Sequence, residues 1–203
     1  MGESVAAYRD EPNVAHDSTT ETYVACKLML DNWRWAGVPF YIRTGKYMAA
    51  HKTEIAICFK KAPHSMFRKT TVANMDANWL IIRIQPHEGI EIEFAAKRPG
   101  PNVNLSKVNM DFDYKTFFAV APSTGYETLL YDCMSGDATL FQRADNVEFA
   151  WQAIQPILNA WAQNPPDGLP NYKSGSFGPK AADDLLARDG FAWRDLLHNL
   201  THE

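Results

Sequence analysis

The residues best suited to chemistry are Arg43–Thr44–Gly45–Lys46, followed closely by His51 and Lys52. A strand that ends in a glycine turn places cations at a sheet edge, and more basic character follows five or six residues later. Two or three converging cations are what a phosphomonoester dianion requires. Lysine supplies a point charge for it without demanding planar geometry. The same residues also read as the solvated end of a basic hairpin. Arg83 and Gln85, within IIRIQP, add polar groups from a neighbouring strand, or serve as sheet-surface residues or one half of an internal ion pair.

Other chemistries lack their residues. The chain has no GxGxxG, no GxxxxGK[ST] and no strand–glycine–helix unit near its start, so nothing reads as a dinucleotide or P-loop site. It has no CxxC, HExxH or Cys/His cluster, and therefore no expected metal. Gly175–Ser176–Phe177–Gly178 reads as a plain turn before a helix. His16, His64, His198 and His202 lie in polar or terminal segments, and His87 sits in a turn; none has a nucleophile at a legible spacing. Cys26, Cys58 and Cys133 stand far apart in apolar runs and read as reduced, buried thiols. Trp33 and Trp35 read as core or interface tryptophans.

The elements that must position these residues divide along the chain. Residues 1–18 are polar and read as an arm or linker remnant, and residues 199–203 as a tail. Ser18–Glu21 resembles a capping box, yet Thr20, Thr22, Val24, Cys26, Leu28 and Leu30 alternate as a strand would; periodicity leaves both open. Val38–Thr44, Glu54–Lys60, Trp79–Gln85, Ile90–Ala96 and Val108–Tyr114 are β-rich runs separated by Pro and Gly breakers. Strands in succession without intervening helices imply an antiparallel sheet. Alternation sets Ile90, Ile92 and Phe94 on one face and Glu91 and Glu93 on the other, as in a half-solvated sheet. Beyond Ser123 the spacing turns helical: Tyr126–Cys133, a longer amphipathic run from Val147 to Trp161 holding Pro156, and a short helix after Pro179 that stops at Gly190. The class is α+β, one domain over residues 19–198.

Composition bounds the partners. The 203 residues are 46% hydrophobic and 22% charged, a globular balance. With 20 Lys+Arg against 24 Asp+Glu the net charge is −4, which argues against a general nucleic-acid binder. No apolar stretch approaches the ~20 residues of a membrane span, and the first residues lack the pattern of a signal peptide. A reducing, cytoplasmic compartment is expected.

Several long motifs then carry a resemblance. DSTTETYVACKLMLDNWRWAGVPFYIRTGK, TEIAICFK, LIIRIQPHEGI, AAKRPGP, VNMDFDY, YETLLYDCMSGDATLFQRAD and YKSGSFGPKAADDLL, in this order, resemble the C-terminal domain of glucose-6-phosphate dehydrogenases. The similarity runs from about Tyr8 to His198. It implies a large, mostly antiparallel sheet with helices mainly on one face, a long strand over Thr20–Asn32, and homodimerisation through the sheet. It also implies an enzyme that oxidises glucose 6-phosphate at C1 to a 6-phosphogluconolactone, passing hydride to NADP, the entry step of the pentose phosphate pathway. By resemblance Lys46 faces the sugar phosphate, His51 stands where the family has a second basic contact with Lys52 beside it, and Gln85 matches a position near the substrate. An imidazole is a full cation only when protonated, so His51 departs from the pattern.

The larger departures are the glycine-rich coenzyme fingerprint of the N-terminal Rossmann domain and the segment with the catalytic histidine, neither found in these residues. The 203 residues alone are therefore expected to be inactive, with no catalytic residue and no bound cofactor; a free-standing, non-catalytic interaction module is the alternative. Some eukaryotic relatives hold a second, structural NADP in this domain. Arg43, Lys52 and Arg83 match its basic positions, while Ala56, Glu93 and Phe177 stand where cations are wanted, so none is expected here.

Overall fold

The computed structural model describes residues 6–61, 76–119, 125–164 and 172–196. His64, His198, His202, residues 1–5 of the arm and the tail 199–203 lie outside them. The class is α+β with antiparallel strands, and the chain forms two compact units, Met1–Ala50 with Gly125–Glu203, and His51–Thr124.

In the first unit, β1 (Tyr23–Met29) pairs with β2 (Pro39–Gly45) as an antiparallel ribbon from Tyr23↔Gly45 to Met29↔Pro39. The Thr20–Asn32 segment is thus a strand, shorter than expected, and no helix forms after Ser18. Pro39 begins its strand, where a missing N–H costs little. The polar arm folds back, Arg9 Nε donating to the Ser18 carbonyl at 2.9 Å.

Three helices of this unit follow the expected spacing: α2 (Tyr126–Ser135), α3 (Ala144–Gln163) and α4 (Lys180–Ala187). They are numbered after the short α1 (Tyr114–Phe118) of the second unit. Glycines in the left-handed region, Gly125 and Gly136, bound α2, the latter donating to the carbonyls of Asp132 and Cys133. Pro156 sits inside α3 and removes one donor from its ladder.

The apolar stripe of α3 forms without being covered: Val147, Trp151 and Ile154 stay exposed, while Ile157, Leu158 and Trp161 are half-buried. By contrast α4 packs on β1 and buries Ala182 and Leu186, with Trp193 Nε1 donating to the Ala182 carbonyl at 3.0 Å.

The second unit is a four-stranded antiparallel sheet in the order β3 (Thr53–Cys58), β4 (Trp79–Gln85), β5 (Gly89–Lys97), β6 (Leu105–Asp113). Asp113 caps α1, its carboxylate accepting from the Thr116 amide at 2.7 Å, so the run read as strand to Tyr114 turns helical there.

Register sorts the residues into two faces. Rows Ile57–Leu80–Ile92–Met110 and Ile55–Ile82–Ile90–Phe112 cross all four strands on one face. Rows Ala56–Ile81–Glu91–Asp111 and Cys58–Trp79–Glu93–Asn109 cross them on the other.

The expected solvation of these faces is inverted. Glu91 is 2% exposed and Ile81 fully buried, whereas Ile90, Ile92 and Met110 are 38%, 40% and 61% exposed. Period-two alternation fixes which side chains share a face, not which face is covered. Glu91 is satisfied there by Asn109, whose Nδ2 donates to Oε1 at 3.0 Å.

Two further expectations are corrected. Cys58 and Cys133 are exposed and Cys26 half-buried, so the thiols are free but not enclosed. Trp33 is fully exposed, which removes the core alternative and leaves the interface one, while Trp35 packs edge-on against Phe40 at 5.3 Å.

Candidate functional site

Lys46 follows the last rung of the β1–β2 ribbon. Its amide donates to the Thr22 carbonyl at 2.8 Å, extending the ladder by one bond before the chain turns. Gly45 is required: a Cβ there would lie 2.6 Å from the Tyr23 ring. Tyr47 adopts φ +46, a conformation rare for a non-glycine residue and sustained only where neighbours impose it.

Those neighbours belong to the segment Tyr172–Gly178. Gly175 N donates to the Tyr47 carbonyl at 2.8 Å, Ala49 N to the Ser176 carbonyl at 2.9 Å, and Met48 and Ser176 form a parallel bridge. The Tyr172 hydroxyl stands 2.9 Å from the Lys46 carbonyl and 3.0 Å from that of Thr22, with one proton to donate to either.

The glycine turn read as plain is therefore the strap that holds the Lys46 turn. The Lys46 side chain itself is exposed, and among the described residues no carboxylate lies within ion-pair distance of it. Its charge is available.

Around this turn the aromatic residues are organised by Tyr23 and Arg43. Tyr23 packs at a tilt of 54° against Tyr172 with centroids 5.3 Å apart and donates to the Phe177 carbonyl at 3.3 Å; burial, more than any neighbour, pushes its phenol up. Arg43 of β2 lies within cation–π distance of two rings, its guanidinium carbon 4.5 Å from the Trp193 centroid and 5.2 Å from that of Phe177. On the same ribbon Asp189 accepts from Lys27 Nζ at 2.7 Å and from the Tyr41 hydroxyl. Nothing in residue spacing announced this pairing, since Asp189 is 148 and 162 positions from its partners.

The other expected site residues belong to the second unit. His51 is exposed just before β3. Lys52, just before β3, faces Glu54 of that strand, Nζ to Oε2 3.5 Å, and both side chains are largely covered. Gln85 ends β4 opposite Thr53, whose hydroxyl is 3.5 Å from Oε1. His51, Lys52 and Gln85 are thus gathered at one end of the β3–β4 pair. Arg83, open as a site residue or an ion-pair partner, is paired: its Nη2 donates to Asp111 at 2.5 Å and to the Phe112 carbonyl at 3.2 Å.

Sequence reasoning reached Lys46 through the glycine turn but missed Tyr172. Its signal was at most a tyrosine three residues before Gly175, a weak pattern.

Comparison with known proteins shows the family and the fold. Residues 1–194 match the family described as "Glucose-6-phosphate dehydrogenase, C-terminal domain". The glucose-6-phosphate 1-dehydrogenase of Aggregatibacter actinomycetemcomitans is 50% identical over 193 residues, 95% of this chain and 38% of that protein. That of Chlamydia pneumoniae is 46% identical over 198 residues, 97% of this chain and 39% of that protein.

Two solved structures agree in fold. A glucose-6-phosphate dehydrogenase in complex with its substrate glucose 6-phosphate has TM-score 0.80 and 31% identity, covering 93% of this chain and 38% of that one. The Mycobacterium avium enzyme has TM-score 0.75 and 34% identity, with the same coverage. The chain spans about 38% of the length of the proteins it matches. With the family match running over nearly all of its residues, the chain belongs to the glucose-6-phosphate dehydrogenase C-terminal domain family.

Proposed function

We propose that this chain is the substrate-side and dimerising part of a glucose-6-phosphate dehydrogenase, an NADP-dependent oxidoreductase of carbohydrate metabolism working in the cytoplasm. The observation that carries this reading is the Lys46 turn: a backbone fixed from both flanks that leaves an exposed ammonium with no carboxylate at ion-pair distance among the described residues. A sugar-phosphate dianion is the ligand such a cation suits, and by the family resemblance His51, Lys52 and Gln85, each described within the second unit, are proposed as substrate contacts in their own right. A solved relative that is 31% identical is described with glucose 6-phosphate bound.

Oxidation at C1 needs a base for the hydroxyl proton and a seat for the hydride acceptor, and both are assigned to an N-terminal Rossmann part. These 203 residues alone bind part of the substrate and turn nothing over. The NADP of the reaction belongs to that other part.

A second, structural NADP does not fit the residues present. Arg43 is engaged with the rings of Trp193 and Phe177, Arg83 is paired with Asp111, and Lys52 with Glu54. Ala56, Glu93 and Phe177 bring no cation to neutralise phosphates. Membrane attachment plays no part in the reading, and among the described residues no helix is long and apolar enough to cross a bilayer.

The apolar sheet face supports homodimerisation. Rows of isoleucine, leucine and methionine left this exposed are what a self-associating β surface presents.

The test is reconstitution. The chain is mixed with the separately made N-terminal part of a relative, association is checked by light scattering, and NADP reduction is followed with glucose 6-phosphate. Turnover by the associated pair, absent from either part, is expected. An associated pair that never reduces NADP would overturn the assignment, and turnover by the purified chain alone would overturn its predicted inactivity.

A further inference from the structure

We propose that Tyr172 is a positioning residue for Lys46, acting through its hydroxyl on the backbone of the turn; this rests on the reading of Lys46 as a sugar-phosphate contact. A lysine ends in a point charge on a flexible four-carbon stem, so the protein controls where the charge goes mainly by fixing the main chain that carries it. Three bonds do this here. The Lys46 amide is held by the Thr22 carbonyl at 2.8 Å, and the Tyr47 carbonyl by Gly175 at 2.8 Å. The Tyr172 hydroxyl closes the remaining side, within 2.9 Å of the Lys46 carbonyl and 3.0 Å of the Thr22 carbonyl.

That one hydroxyl therefore reads both partners of the rung Lys46–Thr22 and ties them to a segment 126 positions away. The phenol ring is placed independently, by its tilted packing against Tyr23 at 5.3 Å, and Tyr23 fills the space left by the missing side chains of Gly45 and Gly178. Removing the hydroxyl alone keeps the ring and its packing while releasing the turn. The left-handed Tyr47 next door then loses part of what sustains it.

Tyr172→Phe separates this role from general support. In the 203-residue chain, amide hydrogen exchange at Lys46 is expected to quicken about fivefold, the equivalent of one net hydrogen bond, with exchange at Leu186 of α4 unchanged. Unchanged exchange at Lys46, or an equal rise at Leu186, would overturn the proposal.

In the reconstituted enzyme the same variant is expected to raise KM for glucose 6-phosphate severalfold with kcat nearly kept. That increase should vanish in a Lys46→Ala background, because Tyr172 acts through Lys46. If Lys46→Ala raises KM and Tyr172→Phe does not, Tyr172 has no positioning role. If Lys46→Ala leaves KM unmoved, the sugar-phosphate reading of Lys46 fails, while the exchange measurement still decides whether Tyr172 holds the turn.

Discussion

Arg83 reaches across strand β5 to Asp111, Nη2 donating to Oδ1 at 2.5 Å, and it passes over Gly89 to do so. A Cβ at Gly89 would lie 2.3 Å from that nitrogen and 2.6 Å from the Phe112 carbonyl. The glycine is thus the gap through which a largely covered guanidinium finds its partner two strands away. Gly89→Ala would push Arg83 off Asp111 and strand a buried charge, at a cost of ~2 kcal/mol given that Asp111 is half in solvent. Urea unfolding measures it: the midpoint should fall for Gly89→Ala. An unfolding free energy within ~0.5 kcal/mol of the parent would mean that the crossing contributes nothing.

The apolar face of the same sheet leads to a second expectation. Met110 and Ile92 sit side by side in one row, 61% and 40% exposed. Burying such a row against its copy gains roughly 25 cal/mol per Å² of apolar surface, whereas a charge placed there is desolvated without a partner. Met110→Asp should convert a dimer to a monomer without loss of far-ultraviolet circular dichroism. Light scattering at micromolar concentration reads the mass, and a parent chain already monomeric, or a variant still dimeric, refutes the assignment of this face.

Much of this was legible in residue order, and the remainder was not for physical reasons. Trp79–Gln85 is a strand with the boundaries its β-branched run and flanking breakers dictate. The two faces of β5 were also correctly sorted, because side-chain alternation is a local property. Which face meets water depends on what packs against it, and the apolar Ile90 and Ile92 proved to be the bare ones. The stripe on α3 failed in the same way: Val147 and Trp151 line up as predicted yet remain uncovered.

Lys46 was proposed as a site residue because a glycine turn after a strand is a local signal, and the turn itself is what the structure shows. Its restraint by Tyr172, and the Asp189 contacts with Lys27 and Tyr41, join positions far apart in sequence and leave no local signature.

His51 offers a third test, independent of the strap. It stands where a basic contact is expected, and imidazole is a weaker attractor of phosphate than a permanent cation unless it is protonated. In the reconstituted enzyme, His51→Arg should lower KM for glucose 6-phosphate about fivefold between about pH 7 and 8, because a guanidinium is a permanent cation that can pair a phosphate through two N–H groups. Lys46→Ala should instead cost ~10²-fold in kcat/KM, since it removes the cation that the sugar phosphate is proposed to meet. A KM for His51→Arg equal to that of the parent across the range removes His51 from the phosphate site.

The cluster of Tyr41, Asp189 and Lys27 predicts how stability responds to pH. Burial pushes the Tyr41 phenol up from its ordinary 10 to about 12, and its hydrogen bond to the Asp189 carboxylate adds to the shift. The folded chain therefore keeps a proton that the unfolded chain has released. The stability this supplies is complete below pH 10 and disappears as pH rises through about 12.

Asp189 has the opposite sign. Donation by Lys27, and then by Tyr41, holds its carboxyl below the usual carboxylate range, so its contribution is present above that range and is lost on acidification. Tyr41→Phe should flatten the alkaline fall in melting temperature between pH 10 and 12 while leaving a carboxylate still paired with Lys27. Lys27→Met should weaken the acid limb and spare the alkaline one. Melting followed by near-ultraviolet circular dichroism across pH, with tyrosinate absorbance near 295 nm as a check, distinguishes the two. If the parent and Tyr41→Phe lose stability in parallel above pH 10, the phenol–carboxylate contact does not exist in solution.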